Sequence, residues 1–275
     1  MSNPKVAILG AGSVSAFILA ACKEYGINPD IYTKGSASSP AGAFWYHWIP
    51  KSIDQIPSKT ILIYSVGDPE GYVSKQWGSE SRIDYRSSSF PRMVRSVQGW
   101  DPRKVYPIMM GFSNIIYSGR DQGDEYSLDK SKEYDLVFQT YPTEHHKESK
   151  GSSLVFTPTT SYNLGGGTHY NSVIYNGNKD DEVVRLSILF DYIHYEWVKW
   201  KVIKPDPNMI IGGFNDIHPS TEPVLESGIA DNVILMGRYA FWDRRLLSHE
   251  AYDETRVILE GYDGKPVGGT EEAME

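Results

Sequence analysis

Two glycines, at positions 10 and 12, stand where the backbone could hold a phosphate group. They follow the apolar run Val6–Leu9 and precede a segment with helical spacing that starts near Val14. Glycine lets the chain turn sharply, and it lets backbone N–H groups approach a pyrophosphate at the positive end of the following helix. Gly10, Gly12 and Ser13 are therefore predicted to bind the phosphates of a dinucleotide, with a plain strand-to-helix turn as the alternative.

Two departures from the usual dinucleotide pattern bear on which cofactor fits. Ser15 stands where the pattern has its third glycine, and it is small enough for close packing. After the second strand, Thr33 and Lys34 occupy the place of the acidic residue that would hold the ribose hydroxyls. Thr33 could hydrogen-bond a ribose hydroxyl, whereas Lys34 would favour a 2′-phosphate. All three residues are predicted to contact the cofactor, and NADP remains a rival.

Three histidines are the candidates for acid–base chemistry, because an imidazole titrates near neutral pH. They are His47, His169 and His249. His169 closely follows the run Gly165–Gly167, which would let a loop lie against a ligand. Each histidine could equally cap or pack an element. No histidine–carboxylate set has the spacing of a metal site, and the single cysteine, Cys22, excludes a cysteine-based one.

A locally basic stretch runs from Arg82 to Lys104 in a chain whose net charge is −8. Its positive side chains are interleaved with aromatic rings, as a polynucleotide or nucleotide-diphosphate surface requires. The residues predicted to contact substrate or DNA are Arg82, Arg86, Arg92, Arg95 and Trp100. The alternative is a solvated basic face, or arginines paired with the protein's own carboxylates. The acidic total excludes a global basic field for nucleic acid.

The elements that must position these residues alternate between strand and helix. The predicted strands are 6–9, 30–32, 60–66, 134–138 and 232–236. The predicted helices are 14–25, 103–117 and 246–259, and the predicted irregular stretches are 70–100 and 118–131. Strand, glycine turn, helix and strand over 6–32 form one βαβ unit, so the sheet should be parallel. Residues 153–202 are β-rich, and Asn176-Gly177 marks a hairpin between 172–175 and 183–195.

These elements predict an α/β fold, with a Rossmann-type domain around a mainly parallel sheet and an inserted β-rich substrate domain. The first domain is predicted at 1–66, 101–145 and 228–262. The inserted region is predicted at 67–100 and 146–227, and a disordered tail at 263–275. No apolar stretch reaches membrane-spanning length and no signal-peptide pattern opens the chain, so we expect a cytoplasmic protein.

Several segments share the pattern of one known group of proteins. They are the glycine turn at 10–12, Ser39–Pro50, Gly237–Trp242 and Leu247–Tyr252. In these segments the chain resembles the FAD-dependent oxidoreductases of the amine-oxidase and UDP-galactopyranose-mutase group, above all compact phage-type members. The resemblance implies FAD as the cofactor, bound by the Rossmann-type domain.

The resemblance also implies which further residues line the flavin. Gly42 and Ala43 would lie along the ribityl chain, with His47 near the ring. A late turn would bring a strand end and a helix N-terminus against the flavin, where the positive helix end stabilises the reduced ring. Its residues are Gly237, Arg238, Tyr239 and Leu247.

The resemblance and the basic stretch together predict oxidation of an amine C–N bond. The expected substrate is a small molecule or a modified nucleobase, such as a glycine-like or aminomethyl substituent on a pyrimidine in phage DNA. Hydrolysis of the imine would then cleave the bond. One alternative is a UDP-galactopyranose-mutase-like flavoenzyme acting on a nucleotide sugar. Another is a non-catalytic module that binds FAD or NADP.

Overall fold

The chain folds into two compact units, each built on its own β-sheet. The computed structural model describes residues 3–34, 44–77, 90–111, 113–117, 124–141, 159–164, 170–198, 230–237, 240 and 246–262. The first unit comprises 1–40, 105–154 and 219–275, and the second comprises 41–104 and 155–218.

Strands and helices alternate along the described residues. The strands are β1 (Val6–Leu9), β2 (Asp30–Thr33), β3 (Lys59–Gly67), β4 (Arg95–Gly99), β5 (Asn114–Tyr117), β6 (Leu136–Gln139), β7 (Thr159–Asn163), β8 (Asn171–Gly177), β9 (Val183–Leu189), β10 (Tyr192–Trp197) and β11 (Val233–Leu235). The helices are α1 (Ser13–Glu24), α2 (Pro69–Trp77), α3 (Pro102–Met110), α4 (Asp124–Ser131) and α5 (Glu250–Gly261), and a 3₁₀ turn spans Lys51–Ile53.

The first unit contains a five-stranded sheet in the order β11-β6-β1-β2-β5. Every pairing in it is parallel, which confirms the parallel βαβ prediction. Strands β1 and β6 are buried along their whole length. A continuous apolar strand of this kind is typical of a sheet covered on both faces.

Helix α1 is buried from Ser13 to Cys22. Its apolar residues run all round the helix, which is the pattern of a helix enclosed by the protein. The helix ends at Glu24 with Tyr25 as its C-cap, and Gly26 follows with φ +69°, the left-handed conformation that glycine adopts freely after a helix. Cys22 is fully buried, and burial raises the pKa of its thiol to about 12.

Helix α5 packs against α1. It buries Ala251, Tyr252, Thr255 and Leu259, a stripe at helical spacing. The hydroxyl of Tyr25, the residue after α1, donates a hydrogen bond to Glu260 near the end of α5. The C-terminal helix is thus part of the first unit's core, although it is far from α1 in sequence.

The second unit contains a six-stranded mixed sheet in the order β4-β3-β8-β9-β10-β7. Strands β3 and β8 are parallel and the other neighbours are antiparallel. Its core contains Ile61, Ile63, Tyr72, Val173 and Leu189. This sheet confirms the prediction of a separate β-rich part. The predicted hairpin between β8 and β9 is also confirmed, because the two strands are antiparallel neighbours. Its turn lies after Gly177, however, since Asn176 and Gly177 are the last residues of β8 and pair with β3.

The structure differs from the sequence prediction in the placement of residues 44–66 and 101–104, which were predicted for the first domain and belong to the second unit. Strand β3 pairs with β4 and β8 and so belongs to the second sheet, whereas the predicted first domain included 1–66. Ile61 and Ile63 are buried in the second core. An apolar run predicts a buried strand, but it does not say which sheet the strand joins.

Several predicted element types are wrong for local reasons. Residues 70–100 and 118–131, predicted to be irregular, contain α2, β4 and α4. Their polar composition hides the weak helical pattern, and α2 is started by Asp68, whose carboxylate accepts the Gly71 N–H at 2.6 Å. The predicted helix 103–117 ends at Met110. The chain then turns at Gly111, and Asn114–Tyr117 form strand β5 instead of a helical continuation.

Two further boundaries also shift. The predicted strand 183–195 is a hairpin, since Phe190 and Asp191 adopt φ +50° and +75° between β9 and β10. The C-terminal helix begins at Glu250, later than predicted. The predicted tail at 263–275 lies outside the described residues. Among the described residues, no helix is long and apolar enough to cross a membrane.

Candidate functional site

The carboxyl edge of the parallel sheet has a switch point between β1 and β6. From β1 the chain proceeds through β2 to β5 on one side, and then returns to β6 and β11 on the other. Ligands of open parallel sheets bind outside the strand ends at such a point, because the two flanking loops diverge there. The residues directly after these two strands are Gly10 and Thr140.

Gly10 lies in a conformation that only glycine adopts without strain. Its φ is +105°, and a Cβ at this position would collide with Thr140 Oγ1. The Thr140 side chain is fixed, since its hydroxyl donates to the Leu9 carbonyl at 2.8 Å and lies 3.2 Å from Ser15 Oγ. The predicted cofactor residue Ser15 thus faces Thr140 and is fully buried. Its small size permits the close packing expected at this position.

Gly12 immediately precedes α1 and is its N-cap residue. A Cβ built on it meets none of the described atoms within 4 Å. The first turn of α1 contains no acidic residue, and its N-cap residue, Gly12, has no side chain with which to cap it. The N–H groups of a helix start carry partial positive charge and need acceptors. Gly12 and Ser13 therefore present a helix N-terminus that fits an anion.

Tyr106, on α3 in the first unit, fixes the orientation of the glycine turn. Its hydroxyl donates to the Ala11 carbonyl at 2.6 Å, and its side chain is 1% exposed. In a planar trans peptide the carbonyl and the following N–H point in opposite directions. The Gly12 N–H therefore points away from Tyr106. Burial raises the pKa of Tyr106 to about 12, so the hydroxyl keeps its proton and remains a donor.

Gly237 brings the late segment of the chain next to the glycine turn. Its φ is +77°, and a Cβ here would lie 2.5 Å from Val14 on α1. The preceding residue, Met236, donates its N–H to Gln139 O at 2.9 Å, which continues the β11–β6 pairing to the edge. Gly10, Gly12, Ser15 and Gly237 are thus assembled at one edge of the sheet. Of the other late-segment predictions, Leu247 donates its N–H to Glu250 Oε2 at the start of α5, and Arg238 and Tyr239 lie outside the described residues.

The end of β2 contains no carboxylate. Thr33 is its last residue and is buried, and Lys34 follows it and is exposed. The acidic residue of β2 is Asp30, at the opposite end of the strand, where Tyr134 and Asn114 donate to its two oxygens at 2.6 and 2.8 Å. Asp30 is therefore engaged within the protein and cannot replace the acid missing at the carboxyl edge.

The two described histidines of the prediction, His47 and His249, belong to different units. His47 is an exposed residue of the second unit, with its ring 5.0 Å from that of Trp45. His249 immediately precedes α5 in the first unit and does not cap the helix with its side chain. His169 lies outside the described residues, as do Gly42 and Ala43. No group of metal-binding side chains occurs among the described residues.

Of the predicted basic contact residues, Arg95 begins the edge strand β4, and Arg92 and Trp100 lie before and after this strand. Arg92 and Arg95 are exposed, whereas Trp100 is half-buried and makes contacts within the protein. Trp100 pairs with Tyr46 in an isolated bridge, and its indole N–H donates to the Ile56 carbonyl at 3.0 Å. Arg82 and Arg86 lie outside the described residues.

The second unit contains a polar cluster that the sequence analysis missed. His194 on β10 is stacked on Phe44, with ring centroids 4.2 Å apart, and its Nδ1 lies 2.7 Å from Ser161 Oγ. Burial, and after it the nearby Arg103, lowers the pKa of His194 to about 4. Arg103 is itself held by Asp101 through two hydrogen bonds of 2.9 and 2.8 Å. Sequence spacing does not reveal this cluster, because its members come from four separate segments.

Comparison with known proteins identifies the fold. No protein-family model matches the chain, and no curated protein matches it in sequence. Solved structures do match, including FqzB (TM-score 0.53, 9% identity, 93% of this chain and 75% of that one) and CtdE in complex with FAD (0.51, 8%, 94% and 84%). L-proline dehydrogenase from P. horikoshii is also similar (0.50, 11%, 97% and 96%). At such low identity the likeness establishes a shared fold, the α/β fold with a parallel sheet and a second mixed sheet.

Proposed function

We propose that the chain is an FAD-dependent oxidoreductase whose cofactor is bound at the carboxyl edge of the first unit's sheet. The observation that carries the proposal is the open N-terminus of α1 at Gly12, located at the switch point between β1 and β6. A pyrophosphate fits this place because its oxygens can accept hydrogen bonds from the N–H groups at the start of a helix. The fold shared with an FAD complex supports the same assignment.

The residues of the edge fit an FAD molecule in their chemistry. Gly10 and Gly12 would let the pyrophosphate approach the backbone, and Tyr106 holds the turn so that the Gly12 N–H is turned away from the core. Thr33 offers a hydroxyl for the adenosine ribose, in place of an acid. Gly237 has no side chain and would therefore let the late segment of the chain approach the bound FAD closely. When bound, FAD supplies the acceptor of two electrons and a proton from the substrate.

NADP is the rival cofactor, because Lys34 stands at the end of β2. An exposed ammonium there would favour a 2′-phosphate, and the absence of a carboxylate removes the group that would repel one. Against NADP stands the late Gly237 segment beside α1, which the resemblance assigns to a flavin site.

We further propose that the substrate is an amine whose C–N bond is cleaved after oxidation to an imine and addition of water. The support is the resemblance of the Gly237 and Leu247 segments to the amine-oxidase group. His47 and His249 are the described candidates to orient the substrate or accept its proton. A pyrimidine substituent on DNA is the proposed context. Its support is the exposed pair Arg92 and Arg95, whose charges suit a phosphate backbone.

The test is the absorbance spectrum of the purified protein, followed by denaturation and identification of any released cofactor. The expected result is a flavin spectrum with FAD in the supernatant. A colourless protein that binds NADP and takes up no FAD would refute the proposal. If FAD is bound, anaerobic bleaching by amine substrates supports the amine oxidoreductase. Turnover of a nucleotide sugar only after reduction would indicate the mutase-like alternative, and tight FAD binding without turnover of either class would indicate a binding module.

A further inference from the structure

One row of side chains crosses the second sheet and changes from apolar to polar along its length. The register aligns Ile63 on β3, Val173 on β8, Ser187 on β9, His194 on β10 and Ser161 on β7. Residues paired across neighbouring strands project from the same face of a sheet. Ile63 and Val173 belong to the buried core of the unit. The three polar residues therefore project from the face that carries the core.

Two polar atoms of this row have no hydrogen-bond partner among the described residues. Ser187 is fully buried, and its hydroxyl is unpaired. The His194 ring uses Nδ1 for Ser161, while no described residue bonds to its Nε2. Buried polar groups in folded proteins are paired with protein, water or ligand, and exceptions cluster at functional sites. The Nε2 edge of His194 is the exception that a ligand could reach, because this ring is only partly buried.

The surroundings of His194 combine aromatic rings with charges that are already paired. Phe44 is stacked on the imidazole at 4.2 Å and Tyr192 lies nearly parallel to it at 5.9 Å. The charged groups facing the cluster are Arg103 with Asp101 and Arg185 with Glu196, and each arginine is ion-paired with its acid. Arg103 also lies over the Tyr192 ring at 4.0 Å.

The electrostatic field at this place opposes a positive charge. Both arginines disfavour protonation of His194, and Asp101 only partly offsets them. A cation placed against the imidazole edge would be repelled by both arginines and would lose hydration, as a protonated His194 would. An anion would meet arginines that are already neutralised. An uncharged group is the best match to the cluster.

We propose that the His194 edge, with Ser161, Phe44 and Tyr192 around it, is a recognition site in the second unit for an uncharged hydroxyl, carbonyl or free-base amine group attached to an apolar body. The site deepens the proposed function, on which its role in substrate binding rests. A hydroxyl or a neutral amine both donates and accepts, so it matches either tautomer of the imidazole. Oxidation by a flavin also requires the amine in its neutral form, and this site would select it.

The experiment uses the full chain labelled with ¹⁵N in its histidines and three probes that share a benzyl group. They are benzyl alcohol, benzylamine and benzyltrimethylammonium. The His194 Nε2 resonance is identified by its loss in H194Q. Benzyl alcohol should shift this resonance with an affinity that does not change between pH 6 and pH 9. Benzylamine should bind about tenfold more tightly per pH unit as its free-base fraction grows, and benzyltrimethylammonium should not shift the resonance.

Variants connect the binding to the imidazole. H194F keeps the stacked ring and removes both nitrogens, so benzyl alcohol should bind at least fivefold more weakly. S161A keeps His194 but removes the hydroxyl beside its Nδ1. Benzyl alcohol should therefore lose less affinity in S161A than in H194F. S96A, an exposed serine on β4, is the matched control and should bind as wild type. If H194F does not fold, H194Q and S161A provide the comparison.

The inference is overturned if the permanent cation shifts the resonance as benzyl alcohol does, if no probe shifts it, or if H194F binds the alcohol as tightly as wild type. None of these readouts depends on flavin. A protein that binds FAD but in which no probe shifts the His194 resonance would therefore refute the inference alone. A functional His194 site in a protein that binds no FAD would refute the proposed function alone.

Discussion

The Tyr106 hydroxyl donates a 2.6 Å hydrogen bond to the Ala11 carbonyl and so fixes the turn between β1 and α1. Both residues are in the first unit, but they are far apart in sequence. Because the bond is made on the core side of the peptide, the N–H of Gly12 is held on the other side. The orientation of the turn therefore depends on a residue outside the glycine pattern.

Replacing Tyr106 with Phe should weaken FAD binding about two- to tenfold, the effect of one hydrogen bond of about 0.5–1.5 kcal/mol. Titration of the apoprotein with FAD, followed by flavin fluorescence, measures this change. Y170F, which alters an exposed tyrosine of the second unit, is the control and should bind as wild type. Equal affinities of wild type and Y106F would show that the turn keeps its orientation without the bond.

Gly10 and Gly12 should respond differently to alanine. G10A places a side chain at φ +105° against Thr140 and should destabilise the apoprotein by about 2 kcal/mol or more. G12A places its Cβ against none of the described atoms and at an ordinary φ, so the apoprotein should keep its stability while FAD affinity falls at least tenfold. Urea unfolding and FAD titration of both variants separate the effects. Wild-type FAD affinity in G12A would mean that the phosphates do not approach this residue.

Acid should destabilise the second unit through His194. Its pKa falls from the ordinary value of 6.5 to about 4 in the folded protein, so the unfolded chain binds more protons between these values. Stability is therefore fully present above about pH 6.5 and declines as the pH falls towards 4. The loss should be about 2 kcal/mol between pH 7 and pH 4.5. Urea unfolding of H194F should show a correspondingly smaller decline, and an identical decline in both proteins would contradict the assignment.

Replacing both Arg92 and Arg95 with Ala tests the proposed contact with DNA. If these exposed residues bind phosphates, the affinity for duplex DNA should fall and the slope of log affinity against log salt should decrease by about two units. Fluorescence anisotropy over a range of salt concentrations measures both. The pair Lys51 and Lys59, also exposed in the second unit, is the matched control. Unchanged binding in the arginine double variant would remove the support for a DNA substrate.

The sequence predicts the first unit well because its signals are local. Val6–Leu9, the glycines and Gly26 each belong to one continuous βαβ segment, where spacing determines structure. The site residues missed by the sequence depend on contacts between distant segments. Tyr106 is one of many tyrosines until α3 brings it to Ala11, and His194 gains its environment from β7, β10 and the segment around Arg103.

The polar helices were missed for a different physical reason. Helix α4 has few apolar residues, and it is held by contacts that have no sequence period, such as Ser127 with Gln139 on β6 at 2.6 Å. Strand β4 is an edge strand with mostly exposed side chains, so it lacks the alternation that marks a half-buried strand.

The burial of Cys22 has a practical consequence for spectroscopy. The thiolate is the reactive form of cysteine, and the only thiol of the chain is enclosed in α1 with its pKa raised to about 12. The native protein should therefore remain unlabelled by maleimide dyes. A cysteine introduced at an exposed position in each unit, such as Ser96 and Lys132, would provide a clean background for attaching a donor and an acceptor fluorophore. Energy transfer between them would then report whether the distance between the two labelled positions changes when a ligand is added.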